Sequence, residues 1–147
     1  MSNYDIVLTG TEELMANLRK VGSDMRGPVA LRAVNAGGLI IEDKARMNAP
    51  VKTGALRNSA KTICRNTAEG AEAEIGFRGL AYARIQEFGG TITAKNKKYL
   101  KFRVNGKWVS AKSVRIRAKR YLGRAIDSEK ALVVKAMNDV VREYLDQ

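Results

Sequence analysis

The chain has 147 residues, 27 Lys and Arg against 15 Asp and Glu, no His and one Cys, for a formal net charge of +12. Without His there is no Ser-His or Cys-His nucleophile pair, no HExxH zinc helix and no imidazole proton shuttle, and one thiol, Cys64, forms neither an internal disulfide framework nor a Cys-rich zinc site. The length fits one domain, 1–147, with 45% hydrophobic residues to build its core, and no apolar run approaches the roughly 18 residues of a membrane helix.

The opening Met1-Ser2-Asn3-Tyr4-Asp5 lacks the basic start and apolar stretch of a secretory signal, and the one unpaired Cys makes a reducing cytoplasm the expected setting. Tyr4 to Thr9, with Ile6, Val7 and Leu8, predicts a short strand. Thr11 before Glu12 and Glu13 suits a helix start; Leu14, Met15 and Leu18 form its apolar stripe and Gly22 its expected end. Pro28 opens a long helix in which Val29, Ala33, Ala36, Ile40 and Met47 recur at helical spacing, and Ala49-Pro50 stops it. Gly37 and Gly38 in its middle each cost roughly 1 kcal/mol relative to Ala, so either the close approach of another backbone or a kink is expected there.

Ser59 to Asn66 and Ala71 to Phe77 predict two strands joined by a turn at 67–70. In the second, Ala71, Ala73, Ile75 and Phe77 alternate with Glu72, Glu74 and Gly76. Leu80 to Phe88 reads as a short helix or an extended corner. Tyr99 to Val104 then alternates strictly, Asn105-Gly106 marks a two-residue hairpin, and Lys107 to Ala111 returns. Counting from the turn pairs Val104 with Lys107, Arg103 with Trp108, Phe102 with Val109, Lys101 with Ser110 and Leu100 with Ala111. One face is therefore Leu100, Phe102, Val109 and Ala111, which the rest of the fold is expected to cover; the other presents Lys101, Arg103 and Trp108. Val114 and Ile116 predict a further extended piece. Asp127 or Ser128 is the expected cap of a last helix with Val133, Met137, Val140, Val141 and Tyr144 on one side. The fold class is α+β, an antiparallel sheet with a long central helix and a C-terminal helix packed on it and a protruding basic hairpin, 90–117.

The charge is local. From Phe88 to Ile126 there are 12 Lys and Arg and no Asp or Glu, while the other 15 basic residues balance all 15 acids. Lys95, Lys97, Lys98, Lys101, Arg103, Trp108, Lys112, Arg115, Arg117, Lys119, Arg120 and Arg124 are the candidate partner- or nucleic-acid-facing residues; Lys and Arg suit phosphates or an acidic protein face, and Trp108, Tyr99 and Tyr121 suit stacking. The bland alternative is a solvated arm whose lysines prevent edge pairing. Glu72 with Glu74, and Asp127 with Glu129, read as a solvated face and a helix start rather than catalytic or metal-binding pairs; Cys64 reads as a packing residue. The Gly-containing 77–79 and 88–90 segments lack the spacing of a phosphate loop.

Ala49-Pro50-Val51-Lys52-Thr53-Gly54-Ala55-Leu56-Arg57-Asn58-Ser59 resembles the AP-x-x-TG-x-L-x-x-S signature of the small neck and tail-completion proteins of long-tailed bacteriophages, also described as minor tail or head-tail joining proteins. Tyr82-Ala83-Arg84-Ile85-Gln86-Glu87-Phe88-Gly89 resembles that family's YA-x-x-x-E-x-G element, and Ile116 to Ala125 its IPARPFL-x-PA element, with Arg117, Arg120 and Arg124 in place of prolines. Physically, Pro50 stops a helix, Thr53 can cap the next turn, Gly54 supplies a permissive backbone and Leu56 an anchor. Tyr82 and Phe88 are expected to pack, Glu87 to accept hydrogen bonds and Gly89 to adopt a conformation other residues avoid. The resemblance implies a non-enzymatic virion protein without cofactor, assembled in the host cytoplasm into a ring, hexameric or else dodecameric, at the neck or the head-proximal tail end. Its implied partners are copies of itself, head-closure or connector and tail-tube proteins and DNA in the lumen, with no membrane. The rival reading is an independent, sequence-nonspecific nucleic-acid-binding protein; a small carboxylate hydrolase using Glu72, Glu74 and Glu87 is a third.

Overall fold

The computed structural model describes residues 11–147, with side chains from Ala16 onward, so the strand expected over Tyr4 to Thr9 lies outside the described residues. Helix α1, Thr11–Arg26, runs past Gly22 and ends one turn later than expected; α2, Pro28–Asn48, follows after the single residue Gly27. Gly27 accepts from Leu31 N–H at 3.0 Å and donates to Ser23 C=O at 2.9 Å, so hydrogen bonding runs through the joint while Pro28 fixes the new start.

The order then continues α3 (Ala55–Asn58), β1 (Ala60–Thr67), β2 (Gly70–Phe77), α4 (Ala83–Phe88), β3 (Gly90–Thr93), β4 (Leu100–Val104), β5 (Lys107–Ala111), β6 (Ser113–Ile116) and α5 (Tyr121–Leu145). The α+β class and the antiparallel pairing are as expected, but the strands form three two-stranded ladders, β1–β2, β3–β6 and β4–β5, rather than one sheet. The β4–β5 register reproduces every expected pair, because Asn105 and Gly106 both take positive φ, +50° and +78°, as the tight turn requires.

Helix α2 is the middle layer. One side lies on β1–β2, where Thr62 and Ile75, cross-strand partners, and Ala73 meet it; the other side carries α5. The two central glycines serve these two neighbours. A Cβ on Gly37 would fall 2.9 Å from Val133 Cγ1 of α5, and one on Gly38 would fall 2.7 Å from Thr62 Cγ2 of β1. Side chains from both flanks, rather than another backbone, account for the pair. Helices α2 and α5 are antiparallel, with rungs at Arg32–Glu143 (3.4 Å), Lys44–Glu129 (3.6 Å) and Asn48 Nδ2 to Tyr121 C=O (3.3 Å). The expected α5 stripe of Val133, Met137, Val140, Val141 and Tyr144 is the half-buried one. Met47 departs from expectation: it is 71% exposed, and Ala45 and Glu42 are buried on α2 in its place.

Glu72 and Glu74 project to the outer face of β2, where both face Arg65 and Glu74 also meets Arg78 at 2.8 Å. They are paired surface carboxylates, as the sequence suggested. Cys64 is a half-buried free thiol 3.5 Å from Asn35 Oδ1, and among the described residues no group of acids or thiols could hold a metal ion. No helix of the described residues is long and apolar enough to cross a membrane.

Candidate functional site

The three sequence motifs, spread over 77 positions from Ala49 to Ala125, meet at one point. Ala49 and Leu56 from the first, Ala83 from the second and Tyr121 from the third form one buried cluster, with Phe77, Leu80 and Leu122 packed against it. Tyr121, 1% exposed, is the largest fully buried side chain among the described residues. Its ring meets Phe77 edge-on at 4.6 Å, and its hydroxyl donates to Ala83 C=O at 2.6 Å.

Glu87 joins the second motif to the third. It is buried, and its carboxylate accepts the Leu122 and Gly123 N–H groups of the first turn of α5, each at 2.9 Å. Two donors left free at a helix start are thus satisfied by an anion at the positive end of the helix dipole. This moves the start of α5 to Tyr121, six positions before the expected Asp127: the cap is borrowed from residue 87 instead of supplied by the helix's own Asp or Ser.

Backbone contacts complete the junction. Lys119 N–H donates to Gln86 C=O at 2.8 Å and Arg120 N–H to Glu87 C=O at 3.1 Å. Arg120 takes φ +48° and ψ +39° as the residue before α5. A proline there would lack the N–H and could not reach a positive φ, which gives a physical reason for Arg120 in this chain. The Arg120 guanidinium lies 3.5 Å from Asp127, an ion pair across the first two turns of α5.

In the first motif, Pro50 follows the α2 C-cap Ala49, Gly54 takes φ +82°, and Leu56 is 4% exposed, as expected. The Thr53 hydroxyl accepts from Ala55 N–H at a long 3.4 Å, while Gly54 occupies the cap position of α3 itself. In the second, Gly89 has the expected unusual backbone, φ +71°. Tyr82 and Phe88 contradict the packing expectation: they are 43% and 73% exposed, and Val51 in the first motif and Met47 just before it are exposed as well. Val51, Thr53 and Tyr82 border a groove of about 530 Å3 between the first two motifs.

Burial raises the Tyr121 pKa to about 12, with the Glu87 carboxylate and Tyr82 adding to the shift. The sign follows from the reference value of 10.0: as pH rises through 10 the unfolded phenol ionises while the folded one keeps its proton, so stability present below pH 10 is lost toward 12. Tyr121→Phe is expected to cost about 1 kcal/mol at neutral pH through the lost hydroxyl bond and to flatten this alkaline decline. Urea unfolding of both chains below and above the phenol's ordinary pKa checks it; parallel declines would refute the assignment.

Of the twelve cations of 88–126, eleven of which are candidates alongside Trp108, nine lie elsewhere, on or beside a ribbon. The β3–β6 ladder, Gly90↔Ile116 to Thr93↔Ser113, carries the β4–β5 hairpin at its far end, with Ala94 N–H to Lys112 C=O at 3.1 Å in between. The short Thr-Ile-Thr run of β3 carries no strand signature of its own and acquires strand geometry only from β6. All twelve cations are exposed, and among the described residues Arg120 is the only one with a carboxylate within 4 Å. Lys119, Arg120 and Arg124 sit at the motif junction; the others follow the ribbon. The apolar face of the hairpin is not covered as expected: Leu100, Phe102 and Ala111 are half-buried, and Val109 is exposed. Arg103 sits over the Trp108 ring at 4.9 Å from its centroid, and Lys98 over Tyr99 at 5.8 Å. Tyr121, proposed from sequence as a stacking residue, is instead in the core.

A family model described as "Bacteriophage HK97-gp10, putative tail-component" matches residues 12–89, just over half the chain and including the first two motifs. No curated protein and no solved structure matches the chain.

Proposed function

Because the chain belongs to the HK97-gp10-like family of phage tail components, we propose that it is a non-enzymatic structural subunit that assembles, in the host cytoplasm, into a ring at the head-proximal end of the tail or the neck and joins tail to head. The observation that carries this reading is the placement of the motif residues. Their inner members fix a junction through Tyr121 and Glu87, and their outer members, Tyr82, Phe88 and Val51, together with Met47, present apolar area to solvent. Large apolar side chains left in solvent, two of which, Val51 and Tyr82, line one groove, suit contact with another subunit. Closure of repeated head-to-tail contacts gives a ring, with six subunits the leading count and twelve the alternative. Head-closure or connector and tail-tube proteins are the partners on its two sides.

Light scattering and negative-stain imaging, on the chain alone and mixed with tail-tube and connector proteins from the same phage, test the reading. A ring is expected in at least one of these mixtures. Replacing Phe88 and Tyr82 by Ser is expected to abolish it with little change in unfolding midpoint, since both side chains are exposed. A monomer in every mixture would overturn the proposal.

A further inference from the structure

We infer that the ribbon is a contact surface for double-stranded DNA, held by its phosphates without sequence readout, through Lys101, Arg103 and the lysines of the 95–98 loop. The first support is uniform sign: 39 consecutive residues, 88–126, contain 12 cations and no carboxylate. An unbroken run of one sign matches a duplex, which presents the opposite sign along its whole length, about one charge per 1.7 Å of axis. The second support is shape. Ala94 to Lys101 line a concavity of about 640 Å3, four of its eight lining residues being Lys95, Lys97, Lys98 and Lys101, and a concave wall lined by one sign of charge focuses the field.

The third support concerns the aromatic rings. Trp108 and Tyr99 are exposed, 69% and 42%, yet each has a cation of its own chain over it, Arg103 and Lys98 respectively. The rings brace long side chains that otherwise lose rotamer freedom on meeting a phosphate. Arg103 and Trp108 are cross-strand partners, so the hairpin register is what brings them together, and Lys101 shares their face two pairs further from the turn. Bracing of phosphate-binding cations favours a duplex, whose bases are already stacked, over a single strand. The inference rests on the ring reading only for the source of the duplex, DNA passing through the lumen.

Fluorescence anisotropy of a labelled random-sequence duplex of roughly 25 base pairs, titrated with the full chain at several salt concentrations, is the test. Micromolar binding at about 50 mM salt is expected, with the logarithm of affinity falling about 0.9 per phosphate neutralised. Lys101→Ala with Arg103→Ala should reduce that slope by about 2 and weaken binding more than tenfold, while Trp108→Ala, which keeps every cation, should weaken it only several-fold. All three sites are exposed, and circular dichroism verifies folding. Absence of salt-dependent duplex binding, or binding indifferent to the double variant, overturns the inference. So does tenfold preference for a single strand that Trp108→Ala removes, which would assign base stacking, or equally tight binding of polyglutamate, which would assign an acidic protein face. Light scattering on the same samples separates the two proposals: a ring that ignores DNA sinks this inference alone, and a monomer that binds DNA leaves it standing without the ring.

Discussion

Gly89→Ala is expected to destabilise the chain by about 4 kcal/mol, and Gly79→Ala by only about 1 kcal/mol, although the two glycines have nearly the same φ, +71° and +75°. The surroundings separate them. A Cβ at Gly79 meets nothing within 4 Å, so only the backbone preference is lost. At Gly89 it would fall 2.8 Å from Ala118 N and 2.9 Å from Ile116 O. Those are backbone atoms, and the chain just beyond them is tied to α4 by the Lys119 and Arg120 N–H bonds, so relief requires giving up the junction. At roughly 3 °C per kcal/mol for a domain of this size, the midpoints should fall by about 12 and 3 °C. Equal losses in the two variants would mean that the close approach of 89 to 116–118 contributes nothing.

Glu87→Ala should cost about 3 kcal/mol. It strands two amide donors at the start of α5, removes an anion from the positive end of the dipole and opens a hole beside Tyr121. Glu87→Gln should recover about half, because one amide oxygen still accepts while the amide nitrogen faces a donor. Hydrogen exchange at the Leu122 and Gly123 amides locates the effect, with faster exchange there in Glu87→Ala than elsewhere on α5. A variant within about 0.5 kcal/mol of the parent would show that α5 starts without help from α4. Since this carboxylate is already engaged on both oxygens, any activity lost in a Glu87 variant has to be judged against the accompanying loss of fold.

What could be read before the structure divides along the range of the forces involved. The hairpin was legible pair by pair, since Asn105-Gly106 and strict alternation set register within a dozen residues. The long helix and its stop at Ala49-Pro50 follow from local rules of equal reach. Helical spacing places Met47 on the core face, yet it lies outside, because spacing defines a stripe but not where a neighbouring element stops covering it. Tyr82 and Phe88 were expected to pack for the same reason: an aromatic side chain looks alike in sequence whether it enters a core or meets another molecule.

By itself the sequence determined the elements that local chemistry dictates, the confinement of the net charge to 88–126, and three motifs in order, two of them within the span of the phage tail-component family match. Only the tertiary structure decided that those motifs converge on Tyr121, that Glu87 starts a helix 35 positions away, and that Gly37 and Gly38 open α2 to neighbours on opposite sides. Spacing along a chain encodes hydrogen bonds and pleats of a few residues' reach; a cap or a close approach between distant segments exists only once packing has brought them together.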